Sequence, residues 1–307
     1  MIRIEIGGWW KYVTPNTQLQ KYNKVHGYAD WMHSLDKLEK RRIKLAAHQA
    51  RITPASVDTV TTVPSNHILT SPSVIDCACV IHGDVYSWTY VERLYNMLLR
   101  NISPNIRFHV YTEPTRPVPA PMIRHDLTDL GISGPRRGWW YKMQLFNPEH
   151  HAGPLLYFDL DTVVVGNIDW IWQQPLKYFW AVRDFKYLWR PHDYRVNSSV
   201  MWWDTRQFES LWAAFQREDL RRIMSRNHGD QDYISNAVSD ADRRLFDVER
   251  VVSWRWQCQD GGYNFSRKCY RTPGVGTRLQ HRNSVIVFHG QPKPADLQDP
   301  VILTHWT

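Results

Sequence analysis

Leu155-Leu156-Tyr157-Phe158-Asp159-Leu160-Asp161-Thr162-Val163-Val164-Val165 is an apolar, β-branched run interrupted by two carboxylates one residue apart. The run reads as a buried strand. Ionised carboxylates at the end of a buried strand need a compensating cation, because desolvation otherwise disfavours them. Alternate residues of a regular strand point to opposite faces. A strand that ends at Asp159, however, lets the following turn swing Asp161 back, and both carboxylates can then address one divalent ion. An oxygen-rich pair of this kind suits Mg²⁺ or Mn²⁺, which keep positions open for substrate phosphates. From these residues alone a plain turn or capping role for Asp159 or Asp161 stays open.

Working outward, Val74-Ile75-Asp76-Cys77-Ala78-Cys79-Val80-Ile81 is apolar and β-rich, residues 86–100 have helical periodicity, and Ile106-Arg107-Phe108-His109-Val110-Tyr111 is again a strand. That is one βαβ unit. A Pro-rich crossover over 114–121 leads to an expected helix over 138–146 and then to the carboxylate strand. The fold class expected is α/β, with a mostly parallel central sheet flanked by helices and ligands at the carboxyl ends of its strands. His82-Gly83-Asp84 and the Asp159/Asp161 pair fall at such ends. Residues 1–72 read as an N-terminal basic appendage with a strand-like start, a basic helix over 31–51 and a Pro/Ser/Thr-rich linker over 53–72. Residues 73–307 form the principal domain. The basic helix is either a solvated face or a dock for a membrane or nucleic acid.

With 307 residues and 43% hydrophobic content the chain can bury a substantial core. No apolar run approaches the roughly 20 residues that span a bilayer, and the start lacks a signal-peptide layout, so the expectation is a cytoplasmic protein, with peripheral membrane contact left open. The formal charge of +8 implies attraction to anionic partners, for which a nucleotide diphosphate, a nucleic acid or an acidic lipid surface each qualifies. Cys77, Cys79, Cys258 and Cys269 form neither a zinc nor a disulfide framework by spacing and read as reduced thiols. Among the 16 tryptophans, pairs such as Trp139-Trp140 and Trp202-Trp203 either pack in the core or line a ligand site.

Further segments punctuate the second half: Arg195 through Trp203, His228-Gly229-Asp230-Gln231-Asp232, Val285-Ile286-Val287-Phe288-His289-Gly290, and Gln291-Pro292-Lys293-Pro294. In order and character these pieces resemble the retaining, metal-dependent glycosyltransferases of the GT-A fold, in particular the family containing glycogenin and the bacterial lipopolysaccharide galactosyltransferases. The GT-A fold is Rossmann-like, and the resemblance covers residues 74–295 while leaving the appendage outside. It implies Asp161 as a direct ligand of Mn²⁺ (or Mg²⁺), Asp159 on the metal or the donor ribose, and His289 as the third ligand. Lys293 is implied on the donor diphosphate and Gly290 beside it, although the family's glycine is displaced here and Ala295 stands where it has tryptophan. Asn197-Ser198-Ser199 matches a strand motif near the donor sugar, with serine in place of the usual glycine. Asp230-Gln231-Asp232 matches a helix start without change, and Lys142 lies in a Lys-to-Phe146 segment that approaches the sugar or phosphate. The backbone from Cys79 through His82 to Asp84 is expected to hold base and ribose.

The resemblance further implies a nucleotide-sugar donor, UDP-linked, and a glycan or glycolipid acceptor. Cleavage builds negative charge on the leaving diphosphate, which the metal and Lys293 would stabilise more in the transition state than in the ground state. Gln231 and Asp230 would sit beside the reacting sugar and support oxocarbenium character. Plain readings coexist with these roles: Asp230 as a helix cap, His289 as a core histidine, Lys293 as a solvent lysine. Three alternatives accompany the main reading. They are transfer to hydroxylated bases of viral DNA, a haloacid-dehalogenase-like phosphohydrolase with Asp159 as nucleophile, and a non-catalytic nucleotide-sugar or glycan-binding protein.

Overall fold

The computed structural model describes strands β1 (Ile2–Ile6) and β2 (Trp9–Val13), residues 72–132, 135–259 and 276–307, and strands β12 (Tyr263–Asn264) and β13 (Cys269–Tyr270). The chain divides into two units, Met1–Ile68 and Leu69–Thr307. In the first, β1 and β2 pair antiparallel. The basic helix and the linker expected over 31–72 lie outside the described residues, apart from the linker's last position.

The second unit is built on a seven-stranded sheet in the order β10-β8-β9-β6-β3-β4-β5. Its strands are β3 (Val74–Val80), β4 (Asn105–Thr112), β5 (Ile123–Asp126), β6 (Pro154–Phe158), β8 (Phe179–Arg183), β9 (Val196–Asp204) and β10 (Arg243–Leu245). All run parallel except β9, which is antiparallel to both β6 and β8. Period-two alternation sends side chains into two cores, one on each face. Cys77, Cys79, Leu156, Phe158, Val200 and Trp202 enter one core. Ala78, Leu155, Tyr157, Met201 and Trp203 enter the other. This explains why β6 and the Val200–Trp203 part of β9 are apolar at successive positions: both of their faces are covered.

Helix Trp88–Asn101 covers the first face, burying Tyr90, Val91, Leu94, Met97 and Leu98 at helical spacing. The expected helix over 138–146 is instead a run of 3₁₀ turns, Pro135–Phe146, lying over the second core. The long apolar stretch that decides the fold is not one strand. β6 ends at Phe158, Asp159 to Asp161 form a turn, and Thr162–Val164 (β7) joins a separate three-stranded sheet with β11 (Val251–Ser253) and β14 (Val285–Val287) in the order β11-β14-β7. After β3, β4 and β5 step outward on one side, β6 returns to the other side of β3. The order therefore reverses between β3 and β6, a switch point of the kind at whose carboxyl ends open α/β sheets bind their ligands.

Candidate active site

The turn after β6 is locally determined. The Thr162 N–H donates to the Asp159 carbonyl at 3.2 Å and the Thr162 hydroxyl donates to the same oxygen at 2.7 Å. This closes the turn that reverses the chain after Asp159 and gives both aspartates to the carboxyl end of the sheet.

Asp159 accepts from the Tyr157 hydroxyl at 2.7 Å and pairs with the Lys142 ammonium at 2.8 Å, both through Oδ1. Lys142, carried by the 3₁₀ segment, is buried and also reaches Asp230 Oδ2 at 3.3 Å and the Ser198 hydroxyl at 3.1 Å. Ser198 in turn donates to Asp230 at 2.5 Å. Burial alone would push the Lys142 ammonium down, but the carboxylates of Asp159 and Asp230 outweigh it and hold its pKa above the usual lysine range. One ammonium between two carboxylates leaves an excess negative charge. The more deeply buried Asp230 bears the consequence, and burial raises its pKa despite Lys142 and Ser198.

Asp161 is buried, and its Oδ2 accepts from the Tyr86 hydroxyl at 2.8 Å and from the Lys293 ammonium. Burial drives its carboxyl pKa up, against the opposing pull of Lys293. Asp159 Oδ2 and Asp161 Oδ1 have no hydrogen-bond partner among the described residues, so each carboxylate keeps one oxygen for a ligand. β14 runs antiparallel to β7, and the Phe288 N–H donates to the Asp161 carbonyl at 3.1 Å, which places His289 next to the aspartate turn. The His289 imidazole lies against Phe185 and Trp256, with ring centroids 5.4 and 4.1 Å away, and its Nε2 shares a 2.7 Å hydrogen bond with the Ser253 hydroxyl. Burial, reinforced by Arg255 and Lys293, lowers its pKa to about 4, so the ring is neutral near pH 7. The donor atoms of Asp159, Asp161 and His289 do not all lie within 4.8 Å of one another. Among the described residues, the group that meets that distance is Asp76, His109 and His151.

Around the end of β3, His82 stacks on Tyr141 at 3.7 Å. The Gly83 N–H donates to Glu113, and Arg116 holds both the Gly83 carbonyl, at 2.8 Å, and Glu113, at 3.0 Å. Asp84 is exposed, whereas the Cys79 side chain is wholly inside the core, which leaves only backbone to offer at that position. Asn197 is buried and its side-chain oxygen accepts from the Ser199 N–H at 3.1 Å. Gln231 is half-buried in the first turn of helix Asp230–Ala237, and its side chain has no hydrogen-bond partner among the described residues. Gly290 adopts a left-handed φ of 76°, and its turn leads on to Lys293.

The structure thus joins Lys142, Asp159, Ser198 and Asp230 in one hydrogen-bonded group and Asp161 with Lys293 in a second. Sequence reasoning missed Tyr86, Tyr157, Ser253 and Glu113. Tyr157 was legible, since a residue two before Asp159 on a strand shares its face. The other three carry no local signal. An open depression of about 940 Å³ at the C-terminal end of helix Asp230–Ala237 is lined by Ser235 and Asn236 of that helix and by Arg190, Arg195, Arg243 and Arg244 together with Asp193 and Asp240. No described helix is long and apolar enough to cross a membrane.

No protein-family model matches the chain, and no curated protein does. Among solved structures, the chain is similar to an active-site mutant of LgtC, at 13% identity over 72% of this chain and 89% of that one, with a TM-score of 0.50. It is also similar to apo WbbM, a bifunctional glycosyltransferase, at 15% identity over 73% of this chain and 47% of that one, with a TM-score of 0.51. A third similarity is to the glycosyltransferase GlyE of Streptococcus pneumoniae, at 12% identity over 76% of this chain and 62% of that one, with a TM-score of 0.54. At these identities the likeness establishes the fold, which is of the GT-A type.

Proposed function

We propose that this chain is a metal-dependent, retaining glycosyltransferase that moves a sugar from a nucleoside diphosphate sugar, UDP-linked, to a hydroxyl of a glycan or glycolipid in the cytoplasm. The observation that carries the reading is the meeting, at the switch point between β3 and β6, of the Asp159–Asp161 turn with Lys293 and with the Lys142–Asp230 pair.

The residues fit a divalent ion by their donor types: Asp159 and Asp161 each keep a carboxylate oxygen without a hydrogen-bond partner among the described residues, and His289 is a neutral imidazole just after β14, although the three would have to close a gap wider than 4.8 Å between donor atoms to share the ion. These three would hold Mn²⁺ or Mg²⁺, a mixed oxygen and nitrogen set compatible with Mn²⁺. When bound, the ion would supply positive charge against the leaving diphosphate. Lys293, whose side chain is 18% exposed and pairs with Asp161, is the more accessible cation of the site and suits a role on the diphosphate. Lys142 is fixed from three sides and suits a positioning role. It holds Asp159 and Asp230 apart, and Asp230 and the unpartnered Gln231 side chain then lie at the helix start where the sugar would be oriented. The arginine-rich depression, with four arginines against two aspartates, favours an acceptor that carries acidic groups.

The test is a panel of nucleotide sugars with Mn²⁺ and candidate acceptors, scored for sugar transfer and for nucleotide release. Metal-dependent release from one donor, abolished in Asp161→Ala, is the expected result. Phosphate release from a phosphomonoester without any sugar transfer would overturn the reading in favour of a phosphohydrolase. Donor binding without release under any condition would leave a binding protein.

A further inference from the structure

A second set of metal-type donors lies away from the aspartate turn. Asp76 on β3, His109 on β4 and His151 in the loop before β6 each offer a donor atom, and the three atoms lie within 4.8 Å of one another. The β3–β4 register explains part of this: Asp76 pairs with Arg107 and Ala78 with His109, so Asp76 and His109 are diagonal neighbours on one face. Asp76 precedes the end of β3 by four residues, about 13 Å at the rise of a strand, and the switch point lies at that end.

The hydrogen bonds around the three are those of a prepared site. His151 Nε2 faces the Pro154 carbonyl at 3.1 Å. A carbonyl only accepts, so Nε2 carries the proton and Nδ1 is left as a lone pair. His109 Nε2 lies 2.8 Å from Asp76, and its Nδ1 lies 2.8 Å from His125 Nε2. With Nε2 on a metal, neutral His109 would carry its proton on Nδ1 and donate it to His125, the outer-sphere arrangement typical of a ligating histidine. Arg107 donates to both Asp76 oxygens, at 2.6 Å to Oδ1 and 2.7 Å to Oδ2, so an ion would share this carboxylate with the guanidinium.

Two further buried polar atoms lie beside the supporting histidine. The Tyr111 hydroxyl and His150 Nδ1 are buried without a hydrogen-bond partner among the described residues, and both rings pack against His125, Tyr111 stacked at 4.6 Å and His150 at 6.0 Å. Orphaned buried polar atoms are uncommon and call for an occupant such as an ion with its water.

We propose that Asp76, His109 and His151 form a site for a divalent transition-metal ion of the Zn²⁺ type, with His125 as its outer-sphere support. One carboxylate and two imidazoles are a zinc-like donor set, whereas Mg²⁺ and Ca²⁺ take oxygens. The ion would tie β3, β4 and the loop leading into β6. It is separate from the ion of the proposed transfer reaction and stands or falls independently of it.

The test is Zn²⁺ titration of the full chain against a chromophoric chelator, together with Co²⁺ absorption spectra. The expected result is a zinc equivalent that persists in Asp161→Ala, disappears in His151→Ala, and weakens by about 10- to 100-fold in His125→Ala, the range for loss of an outer-sphere partner. Should His151→Ala fail to fold, Asp76→Asn replaces it with little change of shape. Absence of zinc binding at micromolar concentration, binding undiminished in the ligand variant, or loss in Asp161→Ala would each overturn the assignment.

Discussion

The Phe288 N–H donates to the Asp161 carbonyl at 3.1 Å. Through this bond the antiparallel β7–β14 pair seats the late segment His289 to Lys293 beside a turn formed far earlier in the chain. The placement is made by backbone, so side-chain substitutions in the site should spare it.

Lys142→Met tests the buried ion group. Lys142 is the shared cation of Asp159 and Asp230, and Met keeps its length while removing the charge. Breaking one partner out of a buried pair leaves uncompensated carboxylates, and the expected loss is about 3–5 kcal/mol in urea unfolding. Asp230→Asn in the same background should recover part of that loss, because it removes one stranded charge. An unchanged midpoint would remove Lys142 from the framework.

Lys293→Ala tests the cation paired with Asp161. If Lys293 stabilises the leaving diphosphate, turnover should fall by about 2–4 kcal/mol of transition-state stabilisation, the scale of one preorganised contact. The variant also strips Asp161 of its nearest cation. Burial already holds that carboxyl above the usual range with Lys293 opposing, so the pKa should rise further. The acid limb of the pH–rate profile should then move to higher pH. A slower enzyme with an unmoved limb would separate the two roles.

The loop at the end of β3 should be acid-sensitive. Burial tends to raise the Glu113 carboxyl, but hydrogen bonds from Arg116, the Gly83 N–H and Thr112 outweigh it and hold the pKa at about 2, below the ordinary 4.5. A depressed carboxyl contributes stability that is present above its unfolded pKa and lost as pH falls through its folded one. Protection of the Gly83 amide against hydrogen exchange should therefore decline between about pH 4.5 and pH 2. In Glu113→Gln it should be weaker and nearly flat over that window.

Much of the fold was legible because the strand and helix patterns were strong over 74–111 and the apolar run was strong over 155–158, where β3, β4 and β6 lie side by side in the seven-stranded sheet. The switch-point position of Asp159 followed from those runs. The nature of the 135–146 segment was not legible, since aromatic-rich sequence with helical spacing does not reveal whether its turns are α or 3₁₀. Nor was the fate of the tryptophan pairs. Trp140, Trp202 and Trp203 are core residues, and only tertiary placement distinguishes them from a sugar platform. The histidine cluster was not legible because Asp76 and His109 meet through β3–β4 register and His151 joins them from the loop before β6, long-range relations with no local signature.

Gly290→Ala examines the turn between His289 and Lys293. Gly290 has φ of 76°, a conformation that costs an ordinary residue on the order of 1–3 kcal/mol. A Cβ at this position would also approach the end of the Arg255 side chain at 3.0 Å, a contact that a flexible guanidinium can yield to. Backbone strain is thus the dominant cost. If the turn relaxes to relieve it, His289 and Lys293 shift relative to Asp161, and donor affinity should fall together with thermal stability. Gly290→Asn discriminates strain from bulk, because asparagine tolerates the left-handed region better than alanine while occupying more space. An asparagine variant closer to wild type than the alanine variant, in both melting temperature and donor binding, would identify conformation as the reason for glycine here. The reverse order would identify crowding against Arg255.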